Sequence, residues 1–374
     1  MPHMPLGRRQ RVATVGAAAV ATALSLAACS SSSSSSTPAS STSSSATSSA
    51  SSSSSAALSG TLNGSGSTFQ TTYQQAAIQA FKTIQSGMTV NYGSGGSGKG
   101  RTDLASGVVN YAGSDSTIPA SETASFKGKT VLYFPVVIGP ITLSYNLSGL
   151  SKPLQLDPAT IAGIFDGKIT TWNNSAIAAD NPGVTLPSTP ITIAVRSDSS
   201  GTTQNFSLFL EDAAPSVWTL GSSSIITWPS TARAASGNSG VAQVVKSTSG
   251  AIGYVDYADA KASGLTFASI KNSSGSYIAP SPSAASAAGN GITVASNLTF
   301  HAVDSPNAQA YPITYQSWVL VYAMQPNAND AAMLKAYVGY LIGAGQQLLG
   351  NLGYAPLPSS LQQMAQAQLS QITS

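Results

Sequence analysis

Residues 131–145, VLYFPVVIGPITLSY, form a long β-rich run with proline at positions 135 and 140. A second extended segment lies around Tyr311-Pro312-Ile313. We predict that the chain crosses between two domains around Phe134-Pro135, and again around Tyr311-Pro312-Ile313. One domain is then built from residues 58–136 plus 311–374, and the other, residues 137–310, is inserted between them. A ligand is expected in the cleft between the two domains.

Strand-like and helix-like segments alternate on both sides of this run. Strand-like runs occupy residues 88–92, 108–113, 191–195, 250–255 and 318–323, and helical patterns occupy 74–84, 158–165 and 331–349. This alternation predicts an α/β fold with largely parallel sheets. The folded region, from about Leu58 to Ser374, exceeds the usual size of one domain, which also favours two domains.

The first 28 residues have the features of a secretory signal peptide. Arg8, Arg9 and Arg11 precede an apolar stretch that is too short for a permanent transmembrane helix. The stretch ends in Leu26-Ala27-Ala28-Cys29, which resembles the lipobox of bacterial lipoproteins. That resemblance implies cleavage after residue 28, lipidation of Cys29 and anchoring on the extracytoplasmic face of the cell membrane.

Residues 29–57 follow as a segment that is almost only Ser, Thr and Ala after Cys29. Such a composition buries too little apolar surface to offset chain entropy, so a disordered tether is predicted. Removal of the three signal-peptide arginines leaves thirteen basic and thirteen acidic residues, a net charge of zero. Because there is also no basic run, nucleic acid is not expected as a partner.

Three Gly/Ser/Thr-rich segments lie just after strand-like runs or before helix-like ones. They are residues 64–69 (GSGSTF), 93–100 (GSGGSGKG) and 196–203 (RSDSSGTT). Glycine lets the backbone approach a ligand closely, and a helix N-terminus offers free N–H donors. One such segment alone is usually an N-cap and a turn. Three of them, with Arg196 and an Asp, predict a dry anion site that needs no metal.

These segments also carry a family resemblance. Residues 64–69, 92–100, 111–115, 195–202, 250–255 and 311–314 resemble, in order, landmarks of the periplasmic phosphate-binding proteins of Pst-type ABC transporters. The resemblance implies a type II periplasmic-binding-protein fold with two domains, two mixed sheets and a ligand cleft. It further implies a monomer that binds inorganic phosphate and delivers it to the permease subunits, with no enzymatic activity and no cofactor.

The resemblance assigns roles to individual residues. The expected phosphate ligands are Thr68, Phe69, Ser97, Asp115, Arg196, Ser200, Gly201 and Thr202, with Ser67 and Asp198 in support. Two departures from the family pattern stand out. In the second loop, Gly95 and Lys99 stand where the family pattern predicts an apolar residue and a small residue, so Ser94 is an alternative phosphate ligand to Ser97. Gln70 and the residues after it stand where the family often has Pro and aromatic residues.

Asp115 gives the site its expected selectivity. Phosphate at neutral pH carries a proton, and sulfate does not. A buried carboxylate gains a hydrogen bond from a protonated oxygen but meets only lone pairs on sulfate. A buried polar group without a partner costs about 1–3 kcal/mol, and more when it is charged.

Other functions have weaker support. In a secreted hydrolase, His301 would be the only histidine after signal removal, and no G-x-S-x-G motif occurs. No His/Cys/carboxylate cluster has metal-ligand spacing, so no metal is expected. A surface adhesin would explain the tether but not the three loops. A carrier of another oxyanion, such as sulfate or molybdate, is opposed by Asp115.

Overall fold

The computed structural model of the protein describes residues 58–374. The predicted signal peptide, Cys29 and the tether lie outside the described residues. The strands are β1 Gly60–Gly66, β2 Met88–Ser94, β3 Tyr111–Ser114, β4 Val131–Tyr145, β5 Gln155–Leu156, β6 Thr192–Arg196, β7 Arg233–Ala235, β8 Ala251–Asp256, β9 Thr266–Phe267, β10 Ser269–Lys271, β11 Tyr277–Ile278 and β12 Thr314–Tyr322.

Helices fill most of the intervals between these strands. The α-helices are α1 Thr71–Ile84, α2 Ser97–Ala105, α3 Pro158–Phe165, α4 Ser175–Asp180, α5 Gly201–Ala213, α6 Gly237–Ser247, α7 Tyr257–Ala262, α8 Pro282–Gly289, α9 Ala328–Ile342, α10 Leu349–Leu352 and α11 Ser359–Gln368. Short 3₁₀ helices cover Ala120–Phe126, Ala344–Leu348 and Leu369–Gln371. No helix among these residues combines the length and the apolar character that crossing a membrane requires.

Nine strands form one large mixed sheet. Their order is β2-β1-β3-β12-β4-β8-β6-β7, and β9 also pairs with β4. The strand pairs β1–β2, β1–β3, β6–β8 and β6–β7 are parallel, whereas β12 runs antiparallel to β3 and β4, and β4 runs antiparallel to β8. A smaller sheet has the order β11-β10-β5.

Strand β4 joins the two sides of the large sheet. Its residues 131–140 pair with β12, and its residues 141–145 pair with β8. We call β1, β2, β3 and β12 with their helices the first half, and β6, β7 and β8 with their helices the second half. The sequence-predicted connection at Phe134-Pro135 is thus part of one continuous strand that runs from the first half into the second.

Burial explains the sequence patterns of these elements. Every residue of β4 after Val131 is buried, which accounts for its unbroken apolar character because a strand covered on both faces does not alternate. Helix α1 buries Tyr73, Ala77 and Phe81, which are four residues apart and share one face. These side chains belong to the main apolar cluster of the protein.

The helix predicted over residues 331–349 is wrong in its extent. Helix α9 ends at Ile342, and Gly343 follows with φ −112° and ψ −112°. The buried Gln346 side chain donates to the carbonyl oxygens of Leu341 (2.7 Å) and Val136 (2.8 Å). This amide satisfies one of the free carbonyls at the helix end, so the chain turns there and the helical pattern continues as shorter pieces.

Candidate anion-binding site

The predicted donor loops follow the carboxyl ends of parallel strands. Residues 67–70 link β1 to α1, and residues 95–96 link β2 to α2. Asp115 follows β3, and residues 197–200 link β6 to α5. In open α/β sheets, ligands bind in the crevice at this end of the strands. The fold therefore brings the three Gly/Ser/Thr-rich segments and Asp115 to one place.

Asp115 is a buried carboxylate surrounded by serine hydroxyls. Ser67 Oγ donates to Asp115 Oδ1 at 2.5 Å, and Ser97 Oγ donates to Oδ2 at 3.2 Å. Ser317 Oγ is a further donor to Oδ1. Burial raises the pKa of the Asp115 carboxyl, although these three hydrogen bonds and the charge of Arg196 act to lower it. The three donors hold both oxygens in fixed positions.

Arg196 is the charged donor of the site. Its buried guanidinium forms a bidentate ion pair with Asp198, including a bond of 2.8 Å from Nε to Oδ1. Nη1 lies 3.4 Å from Thr202 Oγ1. Burial alone would lower the pKa of Arg196, but Asp198 raises it above its usual value. Burial alone would raise the pKa of Asp198, but Arg196 lowers it below its usual value, so both groups are ionised at neutral pH.

Helix α5 begins at the site. Ser200 is its N-cap, and Ser200 Oγ accepts a hydrogen bond from the Thr203 N–H at 3.1 Å. The first N–H groups of the helix have no intrahelical acceptor and carry the positive end of the helix dipole. A Cβ atom built on Gly201 would lie 2.8 Å from Asp115 Oδ2, so only glycine allows this approach. The start of α5 in the second half is therefore packed against Asp115 in the first half.

Phe69 is held rigidly after the first loop. Its ring lies 4.1 Å from the Tyr315 ring and 5.1 Å from the Tyr354 ring, measured between centroids. Its carbonyl oxygen accepts a hydrogen bond of 2.7 Å from the Tyr354 hydroxyl. No acceptor among residues 58–374 pairs with the Phe69 N–H. This backbone donor is therefore oriented by aromatic packing and remains free for a ligand.

Asn238 is a site residue that the sequence did not indicate. Its Nδ2 donates to Thr68 Oγ1 at 3.0 Å and to Thr202 Oγ1 at 3.3 Å. Because both hydroxyl oxygens accept from Asn238, their own protons are directed elsewhere. Asn238 thus orients one hydroxyl donor from each half of the protein, Thr68 in the first and Thr202 in the second. The only signal was its place directly after Gly237 at the start of a helical pattern.

Ser317 was also missed. It lies in β12 at a register shift between Ser317 and Trp318, which turns its side chain toward Asp115. A polar pair, Gln316-Ser317, interrupts an otherwise apolar and aromatic run, and this interruption was the available signal.

All the residues that the sequence proposed for the site lie in this region. Ser97 is buried against Asp115, whereas the alternative, Ser94, is exposed at the end of β2. His301 is exposed. Within residues 58–374, no group of three or more His, Cys, Asp or Glu side chains is placed to hold a metal ion.

Comparison with known proteins agrees with this architecture. A model described as the PBP superfamily domain matches residues 51–344. The structure resembles that of PfluDING, a high-affinity periplasmic phosphate-binding protein solved with phosphate, with a TM-score of 0.68 and 22% identity over 83% of this chain and 94% of that one. A phosphate-binding protein from Stenotrophomonas maltophilia gives a TM-score of 0.64 at 20% identity, over 82% and 93% of the two chains. The fold defines a type II periplasmic-binding protein, which confirms the predicted fold class.

Sequence relatives narrow the assignment. The phosphate-binding protein PstS 3 of Mycobacterium leprae is 35% identical over 312 residues, which cover 79% of this chain and 82% of the relative. PstS 2 of Mycobacterium tuberculosis is 34% identical over 316 residues, which cover 80% and 83%. The chain therefore belongs to the PstS family of phosphate-binding proteins. These relatives are named as binding proteins and not as enzymes, which agrees with the prediction made for this chain.

Proposed function

We propose that this protein binds inorganic phosphate outside the cytoplasmic membrane and delivers it to the permease subunits of a phosphate ABC importer. Its mycobacterial relatives are named as phosphate-binding proteins. The observation that carries the proposal is the buried Asp115 carboxylate, which lies among hydroxyl and N–H donors and close to the Arg196 guanidinium. A site with many donors and a single acceptor suits an oxyanion that still carries one proton.

The donors that we assign to phosphate come from both halves. They are the hydroxyls of Thr68, Ser200 and Thr202, the N–H groups of Phe69, Ser97, Gly201 and Thr202, and the Arg196 guanidinium, while the Ser97 hydroxyl donates to Asp115. Ser67 and Asp198 support the site by fixing Asp115 and Arg196. Since the ion pair with Asp198 offsets the charge of Arg196, recognition rests on placed hydrogen bonds more than on net charge.

We further propose that phosphate closes the protein by a hinge movement. The moving bodies are the domains predicted from sequence, residues 58–136 plus 311–374 and residues 137–310, with β4 and the segment before β12 as the connections. A ligand stabilises the closed arrangement over the open one only through contacts that it makes in the closed arrangement alone, here the simultaneous contacts with both halves.

Membrane attachment is proposed from the sequence alone. The Leu26-Ala27-Ala28-Cys29 motif supports a lipid on Cys29, and the Ser-rich segment then tethers a monomeric binding protein to the membrane. Cys29→Ala is expected to release the protein from the membrane fraction into the soluble fraction. Retention of the variant in the membrane fraction would count against the anchor.

Calorimetric titration of the full-length protein in detergent with phosphate, arsenate and sulfate tests the proposed ligand. We expect tight binding of phosphate, binding of the similarly protonated arsenate, and sulfate affinity lower by several powers of ten. Equal affinity for sulfate and phosphate, or no binding of phosphate, would refute the proposal, and preference for sulfate would instead indicate a carrier of another oxyanion.

A further inference from the structure

A chain of buried polar groups leads from the protein core to Asp115. The Gln70 side chain donates through Nε2 to Ser317 Oγ (2.6 Å) and to the Trp318 carbonyl oxygen (2.7 Å). Gln70 Oε1 accepts from Gln74 Nε2 at 3.0 Å. The Tyr337 hydroxyl in turn donates to Gln74 Oε1 at 2.6 Å. The proposed phosphate ligands do not include any of these residues.

The direction of every bond in this chain is fixed. The Trp318 carbonyl can only accept, so the Gln70 atom that contacts it must be the amide nitrogen. Ser317 Oγ accepts from the same nitrogen, so its single proton is free for Asp115 Oδ1. The other acceptor near Ser317, the Ser114 carbonyl oxygen, lies farther away, at 3.4 Å.

Gln70 orients a second hydroxyl as well. Its backbone N–H donates to Ser67 Oγ at 3.4 Å, and Ser67 Oγ donates to Asp115 Oδ1 at 2.5 Å. Asp115 Oδ1 therefore receives two protons, which fill its acceptor positions. Asp115 Oδ2 receives only the Ser97 hydroxyl, and it is the oxygen that faces Gly201. The remaining acceptor position of the carboxylate is on Oδ2, at the side of the second half.

We propose that Gln70 and Ser317 are positioning residues for anion selectivity, which dedicate Asp115 Oδ1 to the protein and leave Oδ2 to accept the proton of the ligand. This inference rests on the proposed function, since it explains how a phosphate site rejects sulfate.

The pH dependence of selectivity gives a readout that a merely structural role would not move. The ionisable groups that face Asp115 are Arg196 from β6, Tyr92 from β2, Tyr315 from β12 and Tyr354 after α10. Burial raises the pKa of each of these tyrosines, so they stay neutral. Burial also raises the pKa of Asp115, against which the three serine hydroxyls and the charge of Arg196 act. Selectivity is present above the pKa of Asp115 and is lost as the pH falls through it, because protonated Asp115 can donate to sulfate.

The test compares Ser317→Ala, Gln70→Met and the wild type by calorimetry with phosphate and sulfate over a pH series from about pH 5 to about pH 8. In each variant we expect the ratio of phosphate affinity to sulfate affinity to fall about tenfold or more, and the remaining preference for phosphate to be lost at a higher pH than in the wild type. Ser144→Ala, a buried serine in β4 that bonds to Thr142 (2.8 Å), serves as the control and should behave as the wild type.

The outcomes separate this inference from the proposed function. The inference is wrong if the variants keep the wild-type preference for phosphate over sulfate and its pH profile. It is also wrong if the affinities for both anions fall by one common factor, because the chain of buried polar groups then does not set selectivity. If the wild type does not bind phosphate, the proposed function fails, and the inference fails with it. Gln70→Met conserves the volume of the side chain. The phosphate-to-sulfate preference can therefore still be measured in this variant if the cavity left by Ser317→Ala impairs folding.

Discussion

The backbone N–H of Gly98 donates a hydrogen bond of 3.1 Å to the carbonyl oxygen of Ser199. Gly98 lies in the first turn of α2 in the first half, and Ser199 lies just before α5 in the second half. A Cβ atom built on Gly98 would overlap the Ser199 side chain. The two halves therefore meet directly beside the anion site, and glycine at position 98 is required for that contact.

Gly98→Ala tests whether phosphate binding requires this contact. Alanine favours a helix over glycine by about 1 kcal/mol, so the protein with its two halves apart should not lose stability. The closed arrangement would clash, so we expect phosphate affinity to fall about tenfold or more. Calorimetry and urea unfolding measure the two quantities separately. Gly350→Ala, where an added Cβ meets nothing within 4 Å, is the matched control. Unchanged affinity in Gly98→Ala would show that phosphate is bound without closure.

Asn238→Ala tests the orientation of the two threonine hydroxyls. Without the Asn238 amide, the protons of Thr68 and Thr202 are free to point away from the ligand. We expect phosphate affinity to fall about tenfold, as for the loss of one good hydrogen bond to an anion. Asn272→Ala removes a buried amide whose nitrogen donates to the Ala308 and Ala310 carbonyls and whose oxygen accepts from Ser274 and Ser276. The control should lose stability but keep affinity, and equal affinity losses in both variants would contradict the assigned role.

Asp256 predicts a pH-dependent change in stability. Its Oδ1 caps α7 by accepting from the Asp259 N–H at 3.0 Å, whereas Oδ2 is buried without a partner among residues 58–374. Burial and the Asp259 carboxylate raise the pKa of Asp256 well above its usual value. Stability linked to such a group is fully present below the unfolded pKa of about 3.9 and is lost as the pH rises through the raised pKa.

Asp256→Asn keeps the N-cap of α7 and removes the buried charge that destabilises the folded protein at neutral pH. We expect the free energy of unfolding to increase by roughly 1–3 kcal/mol at pH 7, and little gain near pH 4, in urea titrations at both pH values. Asp157→Asn, at the partly exposed N-cap of α3, is the control and should give no gain because it loses its ion pair with Lys271. A destabilised Asp256→Asn at pH 7 would mean that the carboxylate is required in its charged form.

The sequence predicted the elements that depend on local pattern. The bounds of β4 and α3 agree with the predicted runs at 131–145 and 158–165, because apolar runs and a proline at a helix start are local signals. The sequence could not predict the site roles of Gln70, Ser317 and Asn238. The Gln70–Ser317 bond spans 247 residues and the Asn238–Thr68 bond spans 170, so only the folded chain brings these groups together.

The central claim is that Asp115 accepts a hydrogen bond from the protonated oxygen of the anion. The phosphate-to-sulfate affinity ratio of Asp115→Asn tests this claim most directly. The asparagine amide can donate to an unprotonated sulfate oxygen, so we expect this ratio to fall by at least about tenfold relative to the wild type. The measurement is calorimetry of both proteins with both anions at pH 7. An unchanged ratio would show that Asp115 does not face the ligand and would contradict the account.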